Sequence, residues 1–445
     1  MKKKVVIRNK IKPYIKTINS IAGDKSISIR FLILSSLAYG KSIAHNLSKA
    51  QDIKDTSKCL RKLGIKIKNN KDNCEVYGNG LYGYNYRDNI KLDAGNSGTA
   101  ARLLTATLIK SPNYIKITGD NSLKKRDMKR IVDPLKEFGA SFKIKKNTLP
   151  LLIKGSKFIR PINYKELRGS AQCKSAVMLA ALFAPGKTNL KCVKSRDHTE
   201  HFFKNVIKVP IKITKNNKFD LIQVKGMKNF NSFSYNIPGD ISSAAFFIVL
   251  TLLTKNSSLK IKNINLNSSR IGMIKVLNLM GSKISFYNKK KYKGELVGDI
   301  HVKSAKQLKS INCPERYNSS AIDEMLLLFL ASSVAKGTST FKGLKELNQK
   351  ESKRLDWGIK ILKMIGVKTK KISNYGIKIY GNPNLKLKKI YRVKSYLKDH
   401  RIYMLAVIAG LTLGGKWVIN DPDSIKSSFP TFNKLVRELG AKINI

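Results

Sequence analysis

Residues 131–144 read Ile131-Val132-Asp133-Pro134-Leu135-Lys136-Glu137-Phe138-Gly139-Ala140-Ser141-Phe142-Lys143-Ile144. An amphipathic helical pattern runs into a glycine, and a short alternating strand follows at once. Glycine closes a helix at low cost because it takes up the left-handed backbone conformation freely. The same order recurs in Cys59–Lys68 around Gly64, Met273–Phe286 around Gly281, Trp357–Lys370 around Gly366 and Phe432–Ile445 around Gly440. His198–Ile213 reads as a sixth copy with Val209 in the place of the glycine. A period of about 70–85 residues means one supersecondary unit used again. Each unit has room for roughly two helices and three or four short strands, so six of them predict an α/β chain of two similar domains. The Pro238-Gly239-Asp240 turn near the middle is the natural crossover.

The chain has 445 residues, of which 42% are hydrophobic, enough for two full cores. It carries 87 basic and 28 acidic residues, a formal charge of +59. Such an excess points to nucleic acid or an anionic surface. The lysines are spread through nearly every segment, however, as in Lys66-Ile67-Lys68 and Lys143-Ile144-Lys145. No basic arm, base-stacking basic helix or zinc-finger spacing is present, so the charge reads as a solvated surface that attracts small anions. The five cysteines, Cys59, Cys74, Cys173, Cys192 and Cys313, show no C-x-x-C pair and fit a reducing compartment. The start Met1-Lys2-Lys3-Lys4 leads into no signal-peptide core, and the apolar run Met325–Ala335 is too short to span a bilayer. The expectation is a soluble cytoplasmic protein.

Several segments join polar or basic residues to an apolar helix start. Lys25-Ser26 with Arg30, and Lys350-Glu351 with Arg354, place groups four apart, which share one face of a helix and can converge on an anion. Gly23-Asp24 ahead of Lys25 is a turn whose following N–H groups bind anions, or a plain N-cap. Asn96-Ser97-Gly98 precedes the helix with Arg102, Asn96 being a candidate cap and Gly98 letting a ligand approach the backbone. Gly119-Asp120 leads to a turn with Lys124, Lys125 and Arg126. Ser170-Ala171-Gln172 opens another helix and fits either hydroxyl and phosphate binding or capping. Ser195–Glu200 contains Arg196 and His198, the latter a base or an exposed helix start. Asp323-Glu324 heads an apolar helix, where acids are stabilised by the dipole but also suit a general base. Asp399-His400-Arg401 opens another, and its arginine can clamp a phosphate or carboxylate. No Walker loop, dinucleotide fingerprint or metal-ligand spacing is present.

Taken in order over about Ala22–Ala441, these segments resemble the 5-enolpyruvylshikimate-3-phosphate synthase family of enolpyruvyl transferases. The resemblance implies two domains, each of three βαβαββ units, with the active site in the interdomain cleft. It assigns 22–237 to the first domain, and 1–21 with 238–445 to the second. It also implies transfer of the enolpyruvyl group of phosphoenolpyruvate to the 5-hydroxyl of shikimate 3-phosphate, with release of phosphate by addition and elimination. Neither metal nor cofactor is expected, nor a nucleic-acid or membrane partner, and the chain is expected to be a monomer. By motif match, Lys25, Ser26, Arg30, Ser170, Ala171, Gln172, Arg196, Asp323 and Lys350 would bind shikimate 3-phosphate. Lys25, Asn96, Gly98, Arg126, Gln172, Arg354 and Arg401 would bind phosphoenolpyruvate. Asp323 would be the base at the 5-hydroxyl and Glu351 the proton carrier at the methylene carbon, with Lys25 assisting.

Some positions depart from the family pattern. Asp127 follows Arg126 where proline is usual, Asn348-Gln349 replaces Arg-Val, and Lys353 replaces Asp. Ser427 stands where some members have a substrate-binding lysine, and Lys426 is adjacent. Gly98 is the small residue associated with glyphosate sensitivity, so glyphosate is expected to compete with phosphoenolpyruvate. The nearest rival is UDP-N-acetylglucosamine enolpyruvyl transferase, which would need a reactive cysteine in a first-domain loop. A basic nucleic-acid-binding protein is the alternative from another class.

Overall fold

Gly64, Gly139, Gly281, Gly366 and Gly440 all close their helices with positive φ, at 87°, 110°, 92°, 79° and 103°. A Cβ at Gly281, Gly366 or Gly440 would meet nothing within 4 Å, so the requirement there is torsional, not spatial. The sixth copy corrects the reading from sequence. Its left-handed residue is Lys208, at φ 53°, and not Val209. The helix there ends in a π-helical turn, Phe202–Val206, which helical periodicity does not reveal. A β-branched valine would resist the left-handed conformation that the lysine accepts.

The computed structural model describes residues 3–70 and 73–444. Met1 and Lys2 of the basic start, and Ile445 at the end of the last copy, lie outside the described residues. The clearest unit runs Lys91–Asp93, helix Gly98–Thr107, Ile115–Thr118, helix Lys129–Glu137, Ser141–Ile144 and Leu151–Lys154. Its first two strands pair in parallel; the second pairs antiparallel with the last, and the last antiparallel with the third. Asn163–Glu166, Lys187–Val193, Phe219–Lys225 and Ile211–Lys215 repeat that order. In the sheet built on Tyr39–His45 the parallel neighbour is Ser234–Asn236, from the far end of the segment.

The other three sheets follow the same plan. Ile15–Ile18 lies parallel to Ser258–Asn265, which pairs with Glu295–Lys303, with Ile284–Tyr292 at the edge. Gly337–Phe341, Gly376–Gly381 and Thr369–Ser373 are antiparallel, and parallel bridges at Lys309 and Asn312 stand in for the fourth strand. Leu387–Val393 runs parallel to Gly414–Asn420, which pairs antiparallel with Lys4–Ile7, and Asn444 bridges to Val6 beyond it.

One compact unit comprises Gly23–Ile237 with Tyr292–Glu295; the other comprises Met1–Ala22, Pro238–Lys291 and Leu296–Ile445. Ala22, read from the sequence as part of the first domain, thus groups with the second, and the hairpin tip 292–295, read as part of the second, groups with the first. Ala22 accepts a hydrogen bond from Asp240 N (3.0 Å). The Tyr292 hydroxyl of the tip accepts from Asn236 N (2.9 Å), and the tip carries Glu295 to His198.

Each unit is built around three central helices: Lys25–Leu37, Gly98–Thr107 and Ala171–Ala181 in one, Ile241–Leu253, Met325–Ser333 and His400–Leu413 in the other. They are apolar on nearly every side, which a helix sustains only when it is surrounded. All 14 residues of His400–Leu413 are buried. Among the described residues no helix is long and apolar enough to cross a membrane.

Candidate active site

In the first unit the three central helices bring their N-terminal turns together. Asp24, Ser97 and Ser170 cap them by accepting from Ile27 N, Ala100 N and Cys173 N. The first-turn N–H groups and positive dipole ends of these helices make a setting suited to anions. Asn96, read as a cap, leaves that task to Ser97. Its amide instead joins Arg126 Nη2 (2.6 Å to Oδ1) to Asp120 Oδ2 (2.6 Å from Nδ2). Lys25 Nζ lies 2.8 Å from Asp52 Oδ2. Arg30 is buried, and donates to Thr199 Oγ1 (2.8 Å), Ser175 Oγ (2.9 Å) and Ser26 O (3.0 Å). Ser26 and Arg30 therefore share a helix face. Ser26, Ala171, Gln172 and Arg196 are half-buried.

Arg102, to which the family resemblance gives no role, is a member of this cluster. Its guanidinium donates to Gln172 Oε1 and to Asp127 O (2.9 Å), and Gln172 Nε2 donates to Thr99 Oγ1 (2.8 Å). The signal available was its spacing, four residues after Gly98. A Cβ at Gly98 would lie 2.9 Å from Arg102 Nη1 and 3.0 Å from Arg126 Nη1. His198 is neither exposed nor placed as a free base. It is fully buried, and its Nδ1 lies 2.5 Å from Glu295 Oε1.

The second unit converges likewise. Asp240 caps Ile241–Leu253 and Asp399 caps His400–Leu413. Ser242 Oγ donates to Glu324 Oε1 at the head of Met325–Ser333, and Arg401 Nη1 reaches Asp323 O (2.6 Å). Lys350 and Arg354 do not share a helix face, contrary to the expectation. The helix begins at Arg354, and Lys350 is extended at the end of the short turn Lys345–Gln349. Both nonetheless reach one atom, Asp323 Oδ1, from 3.3 Å and 3.2 Å.

Arg354 is the hub. It is 1% exposed, pairs twice with Asp399 (Nε–Oδ2 2.9 Å, Nη2–Oδ1 3.3 Å) and also donates to Glu351 Oε2. Burial opposes its charge, but Asp399, Glu351 and Asp323 outweigh burial and raise its pKa. Burial likewise opposes the Asp399 carboxylate, and Arg354 overcomes it and holds its pKa below the usual carboxylate value. The two carboxylates with proposed proton roles, Asp323 and Glu351, thus hang on one guanidinium and remain half-buried.

The departures from the family pattern have structural partners. Asp127 Oδ1 accepts from Lys129 N (2.8 Å), and its Oδ2 lies near Arg168 and Arg130 (3.4 and 3.5 Å). Asn348 Oδ1 accepts from Leu355 N (2.9 Å), the first turn of the helix that Lys353 leaves without a side-chain cap. Ser427 Oγ donates to Ser424 O (2.9 Å), and Lys426 pairs with Asp423 at the surface (2.9 Å).

Comparison with known proteins bears on this arrangement. The family model described as EPSP synthase (3-phosphoshikimate 1-carboxyvinyltransferase) matches residues 9–435. The 3-phosphoshikimate 1-carboxyvinyltransferase of Ruthia magnifica subsp. Calyptogena magnifica is 39% identical over 426 residues, covering 96% of this chain and 95% of that one. That of Petrotoga mobilis is also 39% identical, over 94% of this chain and 96% of that one. The EPSP synthase structure from Acinetobacter baumannii superposes with a TM-score of 0.85 at 31% identity, over 99% of both chains. NikO of Streptomyces tendae, an enolpyruvyl transferase, shares the fold at 12% identity, with a TM-score of 0.78 over 99% of this chain and 98% of that one. With capped helix ends, cationic clusters and paired carboxylates in family order, the chain belongs to the EPSP synthase (3-phosphoshikimate 1-carboxyvinyltransferase) family.

Proposed function

We propose that this chain moves the enolpyruvyl group of phosphoenolpyruvate onto the 5-hydroxyl of shikimate 3-phosphate and releases phosphate. One observation carries the reading: Asp323 and Glu351 share the buried Arg354 while Lys350 also reaches Asp323. The reaction needs a base at the attacking hydroxyl, a proton carrier at the methylene carbon and cations for two dianionic phosphates. Asp323 takes the hydroxyl proton. Glu351 gives a proton to C3 as the tetrahedral intermediate forms and recovers one as phosphate leaves. Arg354, Arg401, Arg126 and Lys25 hold phosphoenolpyruvate, with Asn96, Gly98 and Gln172 lining its site. Ser26, Arg30, Ser170, Ala171, Gln172, Arg196 and Lys350 hold shikimate 3-phosphate.

The reading requires both residue sets to act on one substrate pair. It also includes action as a monomer in the cytoplasm, without metal or cofactor, and competition of glyphosate with phosphoenolpyruvate. The rival UDP-N-acetylglucosamine reaction is disfavoured by the thiols. All five are buried, and burial pushes Cys59, Cys173 and Cys192 up to about 12, away from a nucleophilic thiolate.

The test is phosphate release from phosphoenolpyruvate at low salt, with and without shikimate 3-phosphate, for the wild type and Asp323→Asn. Release that depends on the shikimate and falls by at least about 100-fold in the variant supports the reading. Release without shikimate 3-phosphate, or only with UDP-N-acetylglucosamine, would sink it.

A further inference from the structure

Behind Arg30 lies a buried ion pair that the reaction does not use. Lys174 is fully buried on the helix Ala171–Ala181, and its Nζ lies 2.6 Å from Glu200 Oε1 and 3.4 Å from Ser195 O. Burial opposes the lysine charge, and Glu200 overcomes it. A neighbour of each, Ser175 after Lys174 and Thr199 before Glu200, belongs to the Arg30 clamp. Ser175 and Thr199 lie 2.7 Å apart through their hydroxyl oxygens, and each accepts from the Arg30 guanidinium. The two segments are therefore joined by two adjacent rungs, one ionic (174–200) and one hydroxyl (175–199). The Lys174 contact with Ser195 O adds the backbone just before Arg196.

We infer that the Lys174–Glu200 pair is a positioning device, which sets the Ser175–Thr199 spacing that aims Arg30 and the loop that carries Arg196 at the phosphate-bearing substrate. The inference rests on the proposed function, because it assigns shikimate 3-phosphate to Arg30 and Arg196. A full charge in a site with no solvent is a poor way to gain stability alone, since apolar residues of similar volume hold such places as well or better. A fixed charge pair does set a separation and a direction that apolar packing does not.

The experiment compares the wild type with Glu200→Gln, the apolar double variant Lys174→Met with Glu200→Leu, and the length-conserving double variant Lys174→Arg with Glu200→Asp. Shikimate 3-phosphate binding is measured by calorimetry, both KM values and kcat by phosphate release, and folding by thermal melts. The glutamine variant strands a buried cation and risks unfolding, whereas the apolar pair removes both charges and retains a core. The expected result is at least a tenfold rise in the shikimate 3-phosphate Kd and KM of the apolar pair. Its phosphoenolpyruvate KM should stay within about twofold and its kcat within about threefold. The Arg–Asp pair should return shikimate 3-phosphate binding to within about threefold of the wild type. An apolar double variant that binds shikimate 3-phosphate as the wild type does would overturn the inference. So would equal rises in both KM values. A wild type that binds no shikimate 3-phosphate would overturn this inference and the proposed function together.

Discussion

Asp399 shows how one residue serves cap, hub and charge balance at once. It accepts from Arg401 N (3.0 Å), Ser352 Oγ (2.9 Å) and the Arg354 guanidinium. Its folded pKa is depressed, so the stability it contributes is present above the unfolded carboxylate value. That stability is lost as pH falls through the lower folded value. Asp399→Asn should therefore flatten the acid limb of a pH–stability curve below about pH 4, where the wild type should fall away. Near neutrality it should cost about 3–5 kcal/mol in urea unfolding, because Arg354 stays buried with less compensation. An unchanged midpoint near neutrality would contradict this account. Gly98 acts by absence. In Gly98→Ala the new methyl must displace the ends of Arg102 and Arg126, which are flexible, so the fold should survive. The expected result is a phosphoenolpyruvate KM raised about tenfold or more with shikimate 3-phosphate binding nearly unchanged, read from two-substrate kinetics. Equal losses for both substrates would contradict the placement of Arg126 at phosphoenolpyruvate.

At the scale of elements, capping decides where the second cationic segment begins its helix. Asn348 supplies from seven residues upstream the acceptor that Lys353 lacks. Asn348→Ala should cost about 1 kcal/mol of stability and raise the shikimate 3-phosphate KM, because Lys350 and Glu351 lie between the cap and the helix. A thermal melt with no change would show that Asn348 does not cap this helix. Gly366→Ala should also cost about 1 kcal/mol, by torsion alone. Gly78→Ala should cost far more, since its Cβ would fall 2.2 and 2.3 Å from the carbonyl oxygens of Ser35 and Ala38. Expression and melting of the two variants test that order.

The same comparison shows what the sequence made legible. Five of six helix ends announced themselves, because a torsion that only glycine accepts easily leaves a mark in composition. The sixth was read one residue late, since a π-turn breaks the 3.6-residue rhythm without any residue to signal it. Lys350 and Arg354 have helical spacing, but a distant asparagine starts the helix after Lys350. The partners that hold Lys25, Arg30 and Arg354, namely Asp52, Thr199 and Asp399, stand 27, 169 and 45 residues away. No local pattern encodes such pairs.

For the whole molecule, the +59 charge acts through solvent. Raising ionic strength from about 0.1 M to about 1 M shortens the Debye length from about 10 Å to about 3 Å. Both KM values should then rise while kcat holds, as steady-state assays along a salt series would show. Salt-independent KM values would mean that the diffuse field contributes nothing to capture. The sheet that holds Lys4–Ile7 has a different consequence. That strand is made long before its neighbour Gly414–Asn420. Gly23–Ile237 emerges in one stretch and can assemble its core while translation continues. Lys4–Ile7 must wait for that partner, and Lys3, Lys4, Arg8, Lys10 and Lys12 around it give the waiting segment the charge that keeps it from pairing with strangers.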